Sequence, residues 1–343
     1  MTNDSNIPIY PFVAIVGQEE LKRALTLAAI EPAIGGVMIM GHRGTGKSTT
    51  VRALAGTMPR IAAVEGCAFN CAPEATAGLC ERCSDAGRPL AATIEVPMVD
   101  LPLGATEDRV AGTIDIEHAL MHGAKRFEPG LLARANRGFL YVDEVNLLED
   151  HLVDLLLDVA ASGVNVVERE GISVRHPARF ALVGSGNPEE GELRPQLLDR
   201  FGLHAAIETE HDIERRVEII KRRMAFDDNA AAFIRDWQGP TEELRERIGA
   251  AQRCVRDVRI NDGFLSMIAA LSAALDIDGH RGELVMTRAA RANAALEGRD
   301  AVTAVDVRLV APMALRHRLR KDPLEMADPG SRIAQAVEKI VME

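Results

Sequence analysis

Gly41-His42-Arg43-Gly44-Thr45-Gly46-Lys47-Ser48 has the form G-x-x-x-x-G-K-[ST], a phosphate-binding P-loop. Its glycines let the backbone curl so that successive N–H groups converge on β- and γ-phosphate oxygens. Lys47 carries a point charge to those oxygens, Ser48 offers a hydroxyl to Mg²⁺, and Thr49 continues the turn. His42, Arg43 and Thr45 fill variable positions and contribute backbone to the cradle; no catalytic role falls to His42. The flanks agree with the motif. Gly36-Val37-Met38-Ile39-Met40 is a short apolar run suited to a buried strand, and Ser48 to Ala55 holds no helix breaker before Gly56. Strand, glycine loop, then helix is the order that puts the positive end of a helix dipole at the phosphates. The chain is therefore expected to bind a nucleoside triphosphate.

Upstream, Phe12 to Gln18 leads into an expected helix from Glu19 to Ile30, with apolar Leu21, Ala24, Leu25 and Ala28 at helical spacing. This helix either closes over the nucleotide base or packs on the sheet edge. Downstream, residues 61–89 are rich in Cys, Gly and Pro and read as a loop or insertion. Thr93 to Val99 is strand-like but interrupted by Pro97. Thr113 to Leu120 reads as a short capped helix, broken by Phe127-Glu128-Pro129-Gly130, with a further helical turn from Leu131 to Ala135.

Gly138-Phe139-Leu140-Tyr141-Val142-Asp143-Glu144 is the second chemical landmark. Four apolar residues make a buried strand, and two carboxylates emerge at its C-terminal end, where open α/β sheets bind ligands. Asp143 is expected to hold the Mg²⁺ hydration shell, and Glu144 to orient and deprotonate the attacking water. Asn146 can cap a helix over Leu147 to Ala161, with Gly163 at its C′ position. Val164 to Arg179 alternates around Gly171 and predicts a β-hairpin. Ala178 to Gly184 is another buried strand, after which Asn187 could polarise the γ-phosphate or the water. Arg200 ends a short helix, where it either pairs with a nearby acid or reaches a phosphate. Gly202 to Ile207 gives a last strand.

Beyond Glu208 the strand signals vanish. Helical patterns follow at Ile213–Met224, Thr241–Val255, Phe264–Leu275, Glu283–Leu296 and Asp306–Leu319, the last with a cap box at Thr303-x-x-Asp306. The expected class is α/β, a P-loop NTPase core with a parallel sheet followed by a C-terminal all-α domain. Its bounds are 1–208 for the nucleotide-binding domain, 209–240 for a helical linker and 241–343 for the helical domain.

Composition narrows the partners. Forty basic against 51 acidic residues give a net charge of −11, and aromatics are only 3%. Neither an excess positive field nor stacking platforms are available, which argues against nucleic acid. No apolar run approaches the ~20 residues of a membrane span. The N-terminus lacks a basic start followed by an apolar core, so the protein is expected to be cytoplasmic.

On these residues the chain resembles the AAA+ ATPases, and closely the subunit I family of magnesium chelatase. Gly41–Ser48 matches Walker A, Phe139–Glu144 matches Walker B, Asn187 the sensor 1 position and Arg200 the arginine finger. More specific are Gly112-Thr113-Ile114-Asp115-Ile116, Phe127-Glu128-Pro129-Gly130-Leu131-Leu132-Ala133 and Tyr141-Val142-Asp143-Glu144-Val145-Asn146-Leu147-Leu148, which are similar to stretches characteristic of that family. The likeness runs from about Tyr10 through the helical domain. It implies ATP and Mg²⁺ as cofactors and a homo-oligomeric ring, hexameric by expectation, with Arg200 acting on the neighbouring protomer's ATP. It also implies Arg281, or as second choice Arg288, as the sensor 2 arginine, and makes the 164–179 hairpin the family's insertion. The implied activity is ATP-driven insertion of Mg²⁺ into protoporphyrin IX, towards chlorophyll or bacteriochlorophyll. The implied partners are a second ring subunit with an integrin-type domain and a large porphyrin-binding subunit. The short N-terminus is expected of a bacterial member. A MoxR-like remodelling chaperone and a cobalt chelatase motor share the same ATPase residues and stand as alternatives.

Cys67-x₃-Cys71-x₈-Cys80-x₂-Cys83 remains outside that scheme. One C-x₂-C is metal-like, but the other spacing is irregular for zinc. The reading places reduced structural or redox-sensitive thiols first and a metal site second; a cytosolic setting disfavours a permanent disulfide.

Overall fold

The apolar run before the P-loop forms the strand Val37–Gly41, with Val37, Met38 and Ile39 fully buried. Burial on both faces is what a near-continuous hydrophobic run requires of a parallel strand. The computed structural model describes residues 8–75, 79–85, 90–115, 126–169, 172–191, 193, 195–319 and 329–341. They fall into two units: residues 1–59 with 187–343, and residues 60–186.

In the first unit, Val37–Gly41 pairs in parallel with Leu203–Ile207, from Val37 opposite Leu203 to Gly41 opposite Ile207. The helix Glu19–Ile30 packs against this pair and buries Leu21, Ala24, Leu25 and Ala28, the residues its periodicity selected. Lys47–Thr57 follows the P-loop as a helix. The expected C-terminal helices are present as Ile213–Asp228, Gln238–Cys254, Asp262–Ala274, Arg281–Leu296 and Ala304–Leu315. Thr303 and Asp306 form the reciprocal cap box at the start of the last of these. Ala230–Asp236, inside the expected helical linker, and Pro329–Val341, inside the expected helical domain, are helices that the sequence did not delimit individually. The first is too short for a periodic signal; it is started by Asn229, whose side chain accepts from Ala232 N–H at 3.0 Å. The alanine-rich Arg281–Leu296 buries Ala289, Ala290, Ala292 and Ala294 against Ala304–Leu315, where Val307, Val310 and Ala311 are inaccessible.

In the second unit three parallel strands lie side by side. Phe139–Val142 is central, with Met98 and Ala181 of the flanking strands both opposite Phe139. Among the described residues, three antiparallel strand pairs accompany them. The expected hairpin over 164–179 is realised by Val164–Arg169 and Ile172–Pro177. The helix expected from Thr113 is not: Gly112–Asp115 is a strand paired with Arg126–Pro129, and residues 116–120 of that prediction lie outside the described residues. Cross-strand pairing with Phe127 and Glu128 overrides the local helix signal, so the stretch expected to break the helix is itself a strand. Residues 61–89 are likewise not all loop. They open with the strand Ile61–Val64, paired with Ala91–Ile94, and include the short helix Glu81–Asp85. Pro97 divides the expected strand 93–99 in two, and its carbonyl accepts from Phe139 N–H at 2.8 Å.

Among the described residues no helix is long and apolar enough to cross a membrane.

Candidate nucleotide site

Gly44 and Gly46 adopt left-handed backbone, with φ of +78° and +81°, and Lys47 opens the following helix. Only glycine takes that curl without strain, so the sequence of the loop dictates its shape. Lys47 Nζ lies across the loop and donates to the carbonyl of Gly41. Thr45 Oγ1 closes the turn by donating to His42 O at 2.9 Å.

A residue the sequence reading left without a role holds the loop from outside. Gln18, itself left-handed at φ +55°, donates through Nε2 to Thr45 O at 2.6 Å and accepts from Thr50 Oγ1 at 3.0 Å. Both ends of the amide are spent on the P-loop and its helix. The local signal was Gly17-Gln18 in front of an amphipathic helix, a place where chain direction changes sharply.

Beside the loop opens a cavity of about 590 Å³, within the usual range for small-molecule sites. Gly44, Thr45, Gly46, Thr49 and Thr50 form one wall; Tyr10, Ile15, Val16, Ile207, Ile219 and Ile220 supply apolar surface. Glu208, Glu210, Arg216 and Arg223 give it polar groups. Glu210 is held below the usual carboxylate range, first by the backbone N–H of Asp212. Burial raises the Tyr10 phenol. A loop curled by two left-handed glycines beside a partly apolar cavity of this size has the shape and polar groups that suit a nucleoside triphosphate.

Asn187 is buried at the end of Ala181–Gly186, and its Oδ1 accepts from Glu189 N–H at 3.2 Å. Because the amide oxygen is spent on this turn, the amide NH₂ is the end suited to an anionic oxygen. The next two residues meet the P-loop: Glu189 lies 3.4 Å from His42 Nδ1, and Glu190 pairs with Arg43. The variable P-loop positions 42 and 43 thus tie the loop to the turn that carries Asn187.

Arg200 ends the short helix Pro195–Arg200. The backbone around it is gripped by three basic side chains from the C-terminal helices. Arg281 donates to Arg200 O at 2.6 Å, His317 lies 3.1 Å from Phe201 O, and Arg318 donates to Asp199 O and Phe201 O at 3.0 and 2.8 Å. Burial lowers Arg318 to about 10 and takes His317 well below its ordinary value, so at neutral pH the arginine is charged and the histidine neutral. Gly202 completes the turn: a Cβ there would lie 2.0 Å from Ile34 O. Arg281 does not line the cavity beside the P-loop, and Arg288 donates to Ala33 O.

In the second unit, Asp143 and Glu144 follow the strand Phe139–Val142. Asp143 Oδ1 accepts from Tyr141 Oη at 2.9 Å and from Ser185 Oγ at 2.5 Å. Glu144 N–H donates to the same Ser185 hydroxyl at 3.1 Å. Glu144 has φ +52°, a left-handed conformation that costs a non-glycine residue about 1 kcal/mol or more and is kept mainly where function needs it. Buried Ser185 and Tyr141, neither given a role from sequence, therefore orient the Asp143 carboxylate, and Ser185 also pins the Glu144 backbone. Each unit by itself offers a hard oxygen donor of the kind Mg²⁺ takes, the Ser48 hydroxyl in the first and the oriented Asp143 carboxylate in the second.

The model of the family described as magnesium chelatase, subunit ChlI, matches residues 113–211, and that of the AAA lid domain matches residues 265–340. The magnesium-chelatase 38 kDa subunit of Chlorobaculum parvum is 59% identical over 341 residues, covering 97% of this chain and 98% of its own. A complex of magnesium chelatase subunits BchI and BchD from single-particle cryo-EM contains a chain 54% identical to this one. The match has a TM-score of 0.54 and covers 92% of this chain and 98% of that one. A crystal structure from Cytophaga hutchinsonii, only 18% identical, shares the fold with a TM-score of 0.63 over 95% of this chain and 91% of its own. The α/β class with C-terminal helices, the parallel strands and the resemblance drawn from Walker and flanking motifs all agree with these findings. This chain belongs to the magnesium-chelatase subunit I family of AAA+ ATPases.

Proposed function

We propose that this protein is the ATP-hydrolysing motor subunit of magnesium chelatase, driving insertion of Mg²⁺ into protoporphyrin IX. The observation that carries the reading is a P-loop with its two left-handed glycines, opening on a nucleotide-sized cavity, in a chain of this family. Mg²⁺ bound with ATP neutralises charge on the β- and γ-phosphates. Lys47 adds a point charge at the same oxygens, while Ser48 and Asp143 are the residues to hold the ion. Glu144 takes the proton of the attacking water, and Asn187 offers its amide NH₂ to the γ-phosphate.

Arg200 acts on the ATP of a neighbouring copy in a homo-oligomeric, hexameric ring, where its charge stabilises the transition state. Arg281 reports nucleotide state through its grip on the Arg200 carbonyl. The metal that is inserted is cargo and separate from the ATP-bound ion. Mg²⁺ sheds water reluctantly, which gives a physical reason for coupling insertion to hydrolysis. A second ring subunit and a porphyrin-binding subunit complete the assembly in the cytoplasm, and the name of the BchI–BchD neighbour supports the first of these.

The test is Mg-protoporphyrin fluorescence with the partner subunits, ATP and Mg²⁺. Product that needs ATP and is lost with Lys47→Ala is the expected result. Hydrolysis without product alongside competent partners would replace this reading with a protein-remodelling ATPase.

A further inference from the structure

Between the strands Ile61–Val64 and Ala91–Ile94 four sulfurs converge. The Sγ atoms of Cys67, Cys71, Cys80 and Cys83 all lie within 4.8 Å of one another. Cys67 Sγ is 3.8 Å from Cys80 Sγ and 3.5 Å from Cys83 Sγ. Four thiolates about 2.3 Å from a tetrahedral zinc stand about 3.8 Å apart along each edge. A disulfide needs about 2.05 Å, and all four residues are free thiols. We propose that Cys67, Cys71, Cys80 and Cys83 form a structural tetrathiolate site for one Zn²⁺.

The irregular spacing that spoke against zinc is a property of the chain, and the tetrahedron is a property of space. The backbone presents each pair of sulfurs differently. In the first pair, the turn is closed by Asn70 N–H to Cys67 O at 3.3 Å, with Asn70 left-handed at φ +46°, and Phe69 N–H points at Cys67 Sγ at 3.4 Å. In the second, Cys83 and Ser84 N–H groups both reach Cys80 O at 3.0 Å as the helix Glu81–Asp85 begins, and Cys80 N–H points at Cys71 Sγ at 3.3 Å. Backbone N–H groups aimed at sulfur favour the thiolate, the form that binds metal.

Cys71, Cys80 and Cys83 are no more than 3% exposed, with Val64, Phe69 and Leu79 packed around them. Four protein ligands in an apolar shell leave no open position, the mark of a structural and not a catalytic zinc. Zinc bound there would supply folding free energy directly to this segment.

Zn²⁺ binding to the four cysteines forms Zn(Cys)₄²⁻ with the thiol protons released to solvent, and the dication removes the repulsion that otherwise forbids four adjacent thiolates.

The test uses the full chain purified under reducing conditions without chelator, with metals measured by plasma mass spectrometry and thiols by titration. About one zinc per chain is expected, released as a mercurial modifies four thiols. Co²⁺ exchange should give intense thiolate charge-transfer and tetrahedral ligand-field bands. Cys80→Ser/Cys83→Ser should lose about ten-fold or more of the zinc and become protease-sensitive within residues 65–90, while Cys254→Ser keeps its zinc. Should the double variant fail to fold, wild-type metal content and the cobalt spectrum still decide. A metal-free wild-type chain with all five thiols reactive, iron in place of zinc, or undiminished zinc in the double variant would each overturn the proposal.

Discussion

Arg281 and Arg200 are joined through the backbone: the guanidinium of Arg281 donates to the carbonyl of Arg200 at 2.6 Å. With His317 and Arg318 on the carbonyls of Phe201 and Asp199, this makes the position of one arginine depend on the C-terminal helices. Arg200→Ala should cut ATP hydrolysis about 10³-fold with little change in ATP affinity. Arg281→Ala should lower turnover by a smaller factor, again without loss of binding. Mixing Arg200→Ala with Lys47→Ala chains should recover activity if the finger serves a neighbouring site; no recovery at any ratio in rings shown to be mixed would refute that role.

The Glu144 backbone N–H is held by the Ser185 hydroxyl, and the residue is left-handed at φ +52°. Glu144→Gln preserves shape and removes the base, so ATP should bind normally while hydrolysis falls roughly 10²–10⁴-fold. Single-turnover measurement separates the two. Wild-type turnover in that variant would remove Glu144 from the mechanism.

Gln18 links the start of the first helix to the P-loop by two hydrogen bonds. Gln18→Ala releases both, each worth about 1 kcal/mol. Equilibrium binding of a fluorescent ATP analogue should weaken about 5- to 30-fold, with the catalytic step little affected. A change confined to turnover would show that the amide acts otherwise.

His204 is half-buried with its ring against His317, and desolvation first, then Arg316, lowers it from 6.5 to about 4. The native state holds the neutral ring, so the unfolded chain takes up the proton first. The stability from this site is complete above pH 6.5 and is lost as pH falls from 6.5 towards 4. For His204 alone the loss is of order 3 kcal/mol. Urea midpoints across that window should fall with acid, and His204→Phe should flatten the slope. An unchanged slope would assign the acid sensitivity elsewhere.

Asp306 is fully buried and accepts from Arg299, Asn293, and both the backbone and hydroxyl of Thr303. Burial pushes its carboxyl up, but Arg299, Asn293 and Thr303 together bring it below the usual value. Asp306→Ala leaves the buried Asn293 amide and the Thr303 cap without their acceptor and should cost about 1–3 kcal/mol, read as a lower urea midpoint. A shift within about 0.5 kcal/mol, the range of ordinary surface changes, would mean that the network contributes only register.

The chain alone determined what rests on local rules. G-x-x-x-x-G-K-S fixes a loop because glycine takes left-handed backbone at little cost. Apolar Phe139–Val142 followed by Asp143-Glu144 fixes a strand end because burial and charge change at one residue. Helices Glu19–Ile30 and Arg281–Leu296 follow from their apolar periodicity. Only the tertiary structure decided the rest, because those contacts join residues far apart in sequence. Gly112–Asp115 is a strand because Arg126–Pro129 pairs with it. Ser185 reaches Asp143 across two neighbouring strands. Arg281, His317 and Arg318 meet the Arg200 turn from 81 to 119 positions away. Four cysteines at uneven spacing close to within 4.8 Å, since a folded chain sets distance by packing and not by sequence separation.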